Sequence, residues 1–200
     1  MTSHADDSHE IPSTTSPPTV IQPQSLAHVL LKTPAAQFET MKTYYRTFLG
    51  AKVAYENDML YLLAYDEEHH RVGIFAPPGT VPKTHNSAGL AHFCFSYGTL
   101  RELATSYTQR KAHGITPSWC VNHGPTTSMY YADPDGNEIE VQVENFDDVN
   151  DVKMFLESDN FRMNPFGTDF DPETLIKRLD SGEAEKEIMK RIEIGPRTMP

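Results

Sequence analysis

A chain of 200 residues with 28 acidic against 17 basic side chains carries a formal charge of -11, which disfavours a phosphate-neutralising surface and makes nucleic acid an unexpected partner. No apolar run approaches the ~20 residues that a bilayer crossing needs, and the first residues lack the charged-then-apolar layout of a secretory signal, so a cytoplasmic protein without a membrane partner is expected. Cys94 and Cys120 are isolated, with neither a disulfide framework nor zinc-type spacing, and read as reduced core thiols.

Residues 1–24 are rich in Ser, Thr, Pro and acids and bury too little to offset the entropy of ordering, so a disordered tail is expected. From Ser25 the pattern predicts a strand (26–32), a helix (35–49) with Phe38, Met41, Tyr45 and Phe48 on one stripe, and strands near 51–55, 59–65 and 70–76. After a Pro/Gly-rich loop (77–88) the order recurs. It gives a strand (90–96), a helix (99–112) with Leu100, Leu103 and Tyr107, and strands near 116–121, 127–132 and 137–144.

The repeat has a fixed offset. Ala27-His28 recurs as Ala91-His92, and Gly50 behind the first helix recurs as Gly114 behind the second, both 64 residues on. The expected fold is therefore α+β: one domain (25–146) of two βαβββ modules (25–76 and 89–146) that pair their sheets around a shared cleft. Asp133-Pro134-Asp135-Gly136-Asn137 supplies turn chemistry between the last two strands and sets the register of Glu140. Beyond Phe146, residues 147–200 read as an appended helical arm, with Asp171-Pro172-Glu173 starting a helix that runs to about Leu179 and a break at Ser181-Gly182 before a second.

Period-2 alternation places Ala27, Val29 and Leu31 on one face of the first strand and Ala91, Phe93 and Phe95 on the matching face of the fifth. His28 and His92 then point the other way, mid-strand, as does Glu140 in the last strand. Two imidazoles and a carboxylate on one concave surface form a facial donor set that leaves coordination positions for substrate and dioxygen. His70 enters the fourth strand and suits proton transfer, although its place after Asp66, Glu67, Glu68 and His69 is also that of an exposed hairpin tip. Tyr130 shares its face with Ser128 and Ala132. His123 precedes Gly124, and His85 lies in the 77–88 loop as a competitor to His70.

The paired modules, the two strand histidines and the stretch DPDGNEIE resemble the vicinal oxygen chelate (glyoxalase/bleomycin resistance/dioxygenase) superfamily over residues 25–146. Within it the chain is similar to one-domain type I extradiol, or catechol 2,3-type, dioxygenases, whose C-terminal arms are similar to NPFGTDFDPETL. The resemblance implies Fe(II), with Mn(II) possible, held by His28, His92 and Glu140. It also implies His70 as acid and base, with Tyr130 and His123 beside the substrate. The implied partners are an aromatic diol and O2, and a homo-oligomer is expected. Glyoxalase-like members take a further ligand from the fourth strand, where RVGIFA (71–76) offers none. The alternatives are a metal-dependent isomerase or lyase that consumes no oxygen, and a metal-free binder of small aromatics.

Overall fold

A computed structural model of the protein describes residues 20–84 and 86–198. The expected tail falls outside the described residues over 1–19, and so does His85. The first module runs β1 (Val29–Lys32), a 3-10 turn (Ala35–Gln37), α1 (Phe38–Leu49), β2 (Lys52–Glu56), β3 (Leu60–Ala64) and β4 (Val72–Phe75). The second runs β5 (His92–Tyr97), α2 (Leu100–Ala112), β6 (Trp119–Asn122), β7 (Thr126–Ala132) and β8 (Glu138–Glu144).

Both modules have the same strand order. The first sheet is β1-β4-β3-β2; the second is β5-β8-β7-β6, extended at its far edge by β9 (Thr168–Asp169). In each, the first strand runs parallel to the last, as a helical crossover requires, and the remaining pairs are antiparallel.

Local chemistry accounts for the helices. Phe38, Met41, Tyr45 and Phe48 recur at helical spacing and are all buried, and Gly50 ends α1 with a left-handed φ of 59° that an L side chain resists. α2 opens on a capping box, in which Thr99 accepts from the Glu102 amide and Glu102 accepts from the Thr99 amide. The two helices lock through Arg110, which is buried: its guanidinium lies 3.9 Å from the Phe48 ring, donates to the Phe48 carbonyl at 3.0 Å and donates to Tyr97 Oη at 2.7 Å.

The Asp133 turn ties the modules together. Asp133 Oδ1 accepts from the amides of Asp135 and Asn137, while Oδ2 accepts from Asn137 Nδ2 and, at 2.7 Å, from the Tyr45 hydroxyl of α1. Both Tyr45 and Asp133 are buried, so the bond is made in a poorly screened setting. Tyr45→Phe keeps the ring and deletes only this bond. It is expected to lower the unfolding free energy by roughly 1–3 kcal/mol, the range for leaving a charged buried acceptor short of a donor, as read from urea unfolding.

Beyond Phe146 the chain forms α3 (Val149–Leu156), α4 (Asp159–Met163), β9, α5 (Pro172–Asp180) and α6 (Glu185–Ile188). α5 starts where expected, with Asp171 capping the amides of Glu173 and Thr174, and it packs on α2 through bonds from Tyr107 and Lys111 to Glu173. Leu175, Leu179, Ile188 and Met189 join the one core that both modules share.

Three local expectations are corrected. His28 lies one residue before β1 rather than mid-strand, because the ladder to β4 begins at Val29↔Val72. His92 opens β5 rather than sitting within it. Cys94 is exposed, since Phe93 and Phe95 take the inward positions of β5 and leave it on the opposite face; Cys120 is buried, and both thiols are free.

Candidate functional site

Each sheet has one face against the helices and one open face. On the second sheet the pairs Cys94↔Glu140, Tyr130↔Glu140 and Trp119↔Tyr130 bring Glu140, Tyr130 and Trp119 into one row across the open face. His92 sits diagonally from Glu140, with its Nε2 3.1 Å from Glu140 Oε2. The carboxylate is buried while the imidazole is partly open, so the pair offers nitrogen and oxygen donors together on this face of the sheet.

Behind Glu140 stands a hydrogen-bonded relay. Tyr130 Oη lies 2.9 Å from His123 Nε2, and His123 Nδ1 lies 2.9 Å from the Phe166 carbonyl. A carbonyl only accepts, so Nδ1 carries the proton and Nε2 is left to accept from the tyrosine. Burial holds the His123 pKa below the ordinary imidazole range, consistent with this neutral tautomer. Burial, with the Glu140 charge next, pushes the Tyr130 hydroxyl well above its usual range and keeps it protonated.

The arm packs beside this row through Phe166 and through β9 at the edge of the sheet. Gly167 has φ 93°, and a Cβ there would fall 2.2 Å from the Asn122 carbonyl oxygen. Only glycine lets the arm pass close enough for Phe166 to reach His123. Trp119, which the sequence did not single out, stacks on Tyr130 at 5.0 Å between centroids and meets the His123 ring edge-on. Its indole donates to Asp169 at 2.7 Å, and the Arg197 guanidinium lies 5.7 Å from its ring. Strand alternation alone does not give the β6–β7 register that sets Trp119 opposite Tyr130.

The first sheet presents a second, smaller group. The His28 and His70 rings lie 4.4 Å apart, with His69 edge-on to His70. Arg71 clamps this corner, gripping Asp66 through Nε and donating from Nη1 to the Ala27 carbonyl at 3.0 Å. Desolvation first, and then the neighbouring His28, lowers the His70 pKa; its Nδ1 is buried without a partner among the described residues. The place that Glu140 takes opposite Cys94 is taken in this sheet by Gly73 opposite Leu30, under the Leu30 and Leu62 side chains, so no donor stands there.

The structure thus gathers His92, Glu140, Tyr130 and His123 in one place and His28 with His70 in another. Among the described residues, no three or more His, Cys, Asp or Glu side chains form a group able to hold a metal ion. No helix among the described residues is long and apolar enough to cross a membrane.

Two βαβββ modules of matching strand order, with chemistry concentrated on the open sheet faces, define a paired-module α+β protein. The chain belongs to the Glyoxalase/Bleomycin resistance protein/Dioxygenase superfamily, whose family model matches residues 6–141. It is 39% identical over 157 residues to biphenyl-2,3-diol 1,2-dioxygenase 2 of Rhodococcus globerulus, spanning 78% of this chain and 82% of that protein. Against biphenyl-2,3-diol 1,2-dioxygenase 3 of the same organism it is 39% identical over 168 residues, spanning 83% and 87%. A crystal structure of a glyoxylase/bleomycin resistance protein/dioxygenase domain from Frankia sp. EAN1pec shares the fold, with TM-score 0.50 and 14% identity over 62% of this chain and 93% of that one.

Proposed function

We propose that this protein is an Fe(II)-dependent extradiol dioxygenase that cleaves an aromatic vicinal diol with O2, placing both oxygen atoms in the ring-opened product. The observation that carries the reading is the His92–Glu140 pair backed by the Tyr130–His123 relay, in a chain 39% identical to proteins named for dioxygenation of biphenyl-2,3-diol. Fe(II), with Mn(II) as the substitute, is the metal we assign to His28, His92 and Glu140. A single chain sets only two of these donors side by side.

The protein's own groups suit such a substrate. Trp119 and Tyr130 form an aromatic wall against which a planar ring can stack. The Tyr130 oxygen, already donating to His123, keeps lone pairs free to accept from a diol hydroxyl, so a proton can pass from substrate through Tyr130 to His123 Nε2. The Trp119 contacts to Asp169 and Arg197 hold that wall closed. His70, whose Nδ1 has no partner among the described residues, is the group we assign to proton transfer on the opposite side of the ring.

Anaerobic loading with Fe(II), followed by an oxygen electrode and a panel of catechols that includes 2,3-dihydroxybiphenyl, tests the reading. One O2 consumed per diol, with a yellow ring-fission product, is expected. Iron uptake without oxygen consumption on every diol would defeat it and favour an isomerase-type enzyme. His70→Gln should retain iron and diol binding while kcat falls ~10²- to 10⁴-fold, the usual cost of losing a positioned proton-transfer group. An unchanged kcat in that variant would remove His70 from the mechanism.

A further inference from the structure

The relay works only while the His123 proton stays on Nδ1, and the bond that keeps it there joins two separate parts of the chain. His123 lies on the turn between β6 and β7, whereas its acceptor, the Phe166 carbonyl, lies on the arm. Asn164 shapes the arm's side of that bond. It is 1% exposed; its Oδ1 accepts from the amides of Phe166 and Gly167, and its Nδ2 donates to the Gly167 carbonyl at 2.9 Å. On the other side Asn122 holds the turn, accepting from the Gly124 amide and donating to the Met189 carbonyl at 2.7 Å.

Arg191 spans the gap between these two parts. Its Nη1 donates to the His123 carbonyl at 3.2 Å and to the Asn164 carbonyl at 2.8 Å, so one nitrogen bridges the histidine and the loop that carries its acceptor. Nη2 donates to the Asn160 carbonyl and to Glu193 Oε2, and Nε donates to Glu193 Oε1. All five N–H groups of the guanidinium are thereby used. The side chain is 2% exposed, with its guanidinium 4.8 Å from the Phe155 ring. The Glu193 pair alone would suffice to fasten the end of the arm. The two Nη1 bonds go instead to the two backbone segments whose separation sets the 2.9 Å between His123 Nδ1 and the Phe166 carbonyl.

We infer that Arg191 is a positioning residue for the reaction: by fixing the His123 backbone against the 164–167 loop it keeps the Phe166 carbonyl on Nδ1 and so leaves Nε2 free to take the Tyr130 proton. It acts through His123 rather than on the diol. With the clamp released, a proton on Nε2 would face the Tyr130 oxygen as a donor, and the path from the diol hydroxyl through Tyr130 would end without an acceptor. Lysine is no substitute, because its three-donor ammonium lacks the planar fork that reaches both carbonyls and the carboxylate at once. The catalytic consequence rests on the dioxygenase reading above, whereas the tautomer can be read without iron.

Long-range proton–nitrogen NMR of the iron-free full chain reads the tautomer, with the His123 signals assigned by their loss in His123→Gln. The wild type should show Nδ1 protonated and Nε2 bare. Arg191→Met keeps an apolar stem beside Phe155 and deletes the donors, so its His123 signals should move to a mixture of tautomers, and Arg191→Lys should not restore the wild-type pattern. In the iron-loaded enzyme, kcat for the diol should fall roughly 10²-fold, the cost of displacing a positioned group by about an ångström, with little change in KM. Glu193→Ala loosens the same guanidinium from an exposed position; it should shift the tautomer in the same direction and reads the same coupling should Arg191→Met not fold. Lys190→Met, at the adjacent exposed position, removes an ion pair to Glu187 and should alter neither readout. A wild-type tautomer in the folded Arg191→Met or Glu193→Ala chain, or an equal shift in Lys190→Met, overturns the inference. So does a shifted tautomer with kcat unchanged. If the wild type consumes no oxygen on any diol while the tautomer shift stands, the dioxygenase reading fails and the hold of Arg191 on His123 remains.

Discussion

Alanine at His92 or at Glu140 is expected to reduce bound Fe(II) from stoichiometric to background and to abolish ring cleavage, with the fold retained. A three-donor set has no redundancy, so each loss leaves two protein ligands. The fold tolerates the changes for different reasons. His92 is exposed at the first position of β5, where truncation costs no more than about 0.5 kcal/mol. Glu140 is a buried acid on a face that also carries Glu138 and Glu144, so its removal relieves like-charge repulsion while the ladder through its backbone persists. Metal analysis and far-UV circular dichroism on the same samples check the outcome. His28→Ala should match them, and full iron and activity in any of the three variants would remove that residue from the set.

The repeat, the helix stripes and the Asp133 turn were legible because each depends on residues close in sequence. Phe38 to Phe48 declares a helix face by spacing alone, and the 64-residue offset declares two copies of one unit. Boundaries were less legible, since a strand ends where its neighbour stops offering bonds. Residues 26–28 alternate like a strand, yet β4 offers them no ladder beyond the Arg71 carbonyl that receives the Val29 amide. That the two modules form two sheets was legible, but the detailed setting of one sheet against the other was not. It turns on contacts such as Tyr45 with Asp133 and Arg110 with Phe48, which span 88 and 62 residues and leave no periodic trace. Alternation showed which way His28 and His92 face within their own sheets, but not whether those faces meet in one chain. Trp119 was missed for a related reason, because its role depends on pairing with Tyr130 and on Asp169 from the arm.

Truncation after Phe146 is expected to leave a protein that aggregates or unfolds, rather than an active core with a weakened grip on substrate. Residues 147–200 read in sequence as an appendage, but their side chains finish the core. Leu175, Leu179, Ile188 and Met189 are all buried in the cluster that contains Leu100, Leu103 and Tyr107 of α2. At about 1.5–3 kcal/mol for each fully buried side chain, the four contribute on the order of 10 kcal/mol. That is comparable with the roughly 5–15 kcal/mol that holds a typical domain folded. The cut also strands polar groups: Asn122 Nδ2 loses the Met189 carbonyl, Tyr107 loses Glu173, and His123 loses the Phe166 carbonyl that fixes its tautomer. β6 would become a bare edge, inviting strand pairing between copies. Size-exclusion chromatography and thermal unfolding of a 1–146 chain test the claim. A monodisperse truncation that melts near the full-length temperature would show that the arm is dispensable to the core and acts only on His123 and the Trp119 wall. A milder cut after Met189 separates the two roles, because it keeps all four buried residues and removes Arg191 and Arg197. That variant should stay folded while the Trp119 wall loosens and KM for the diol rises.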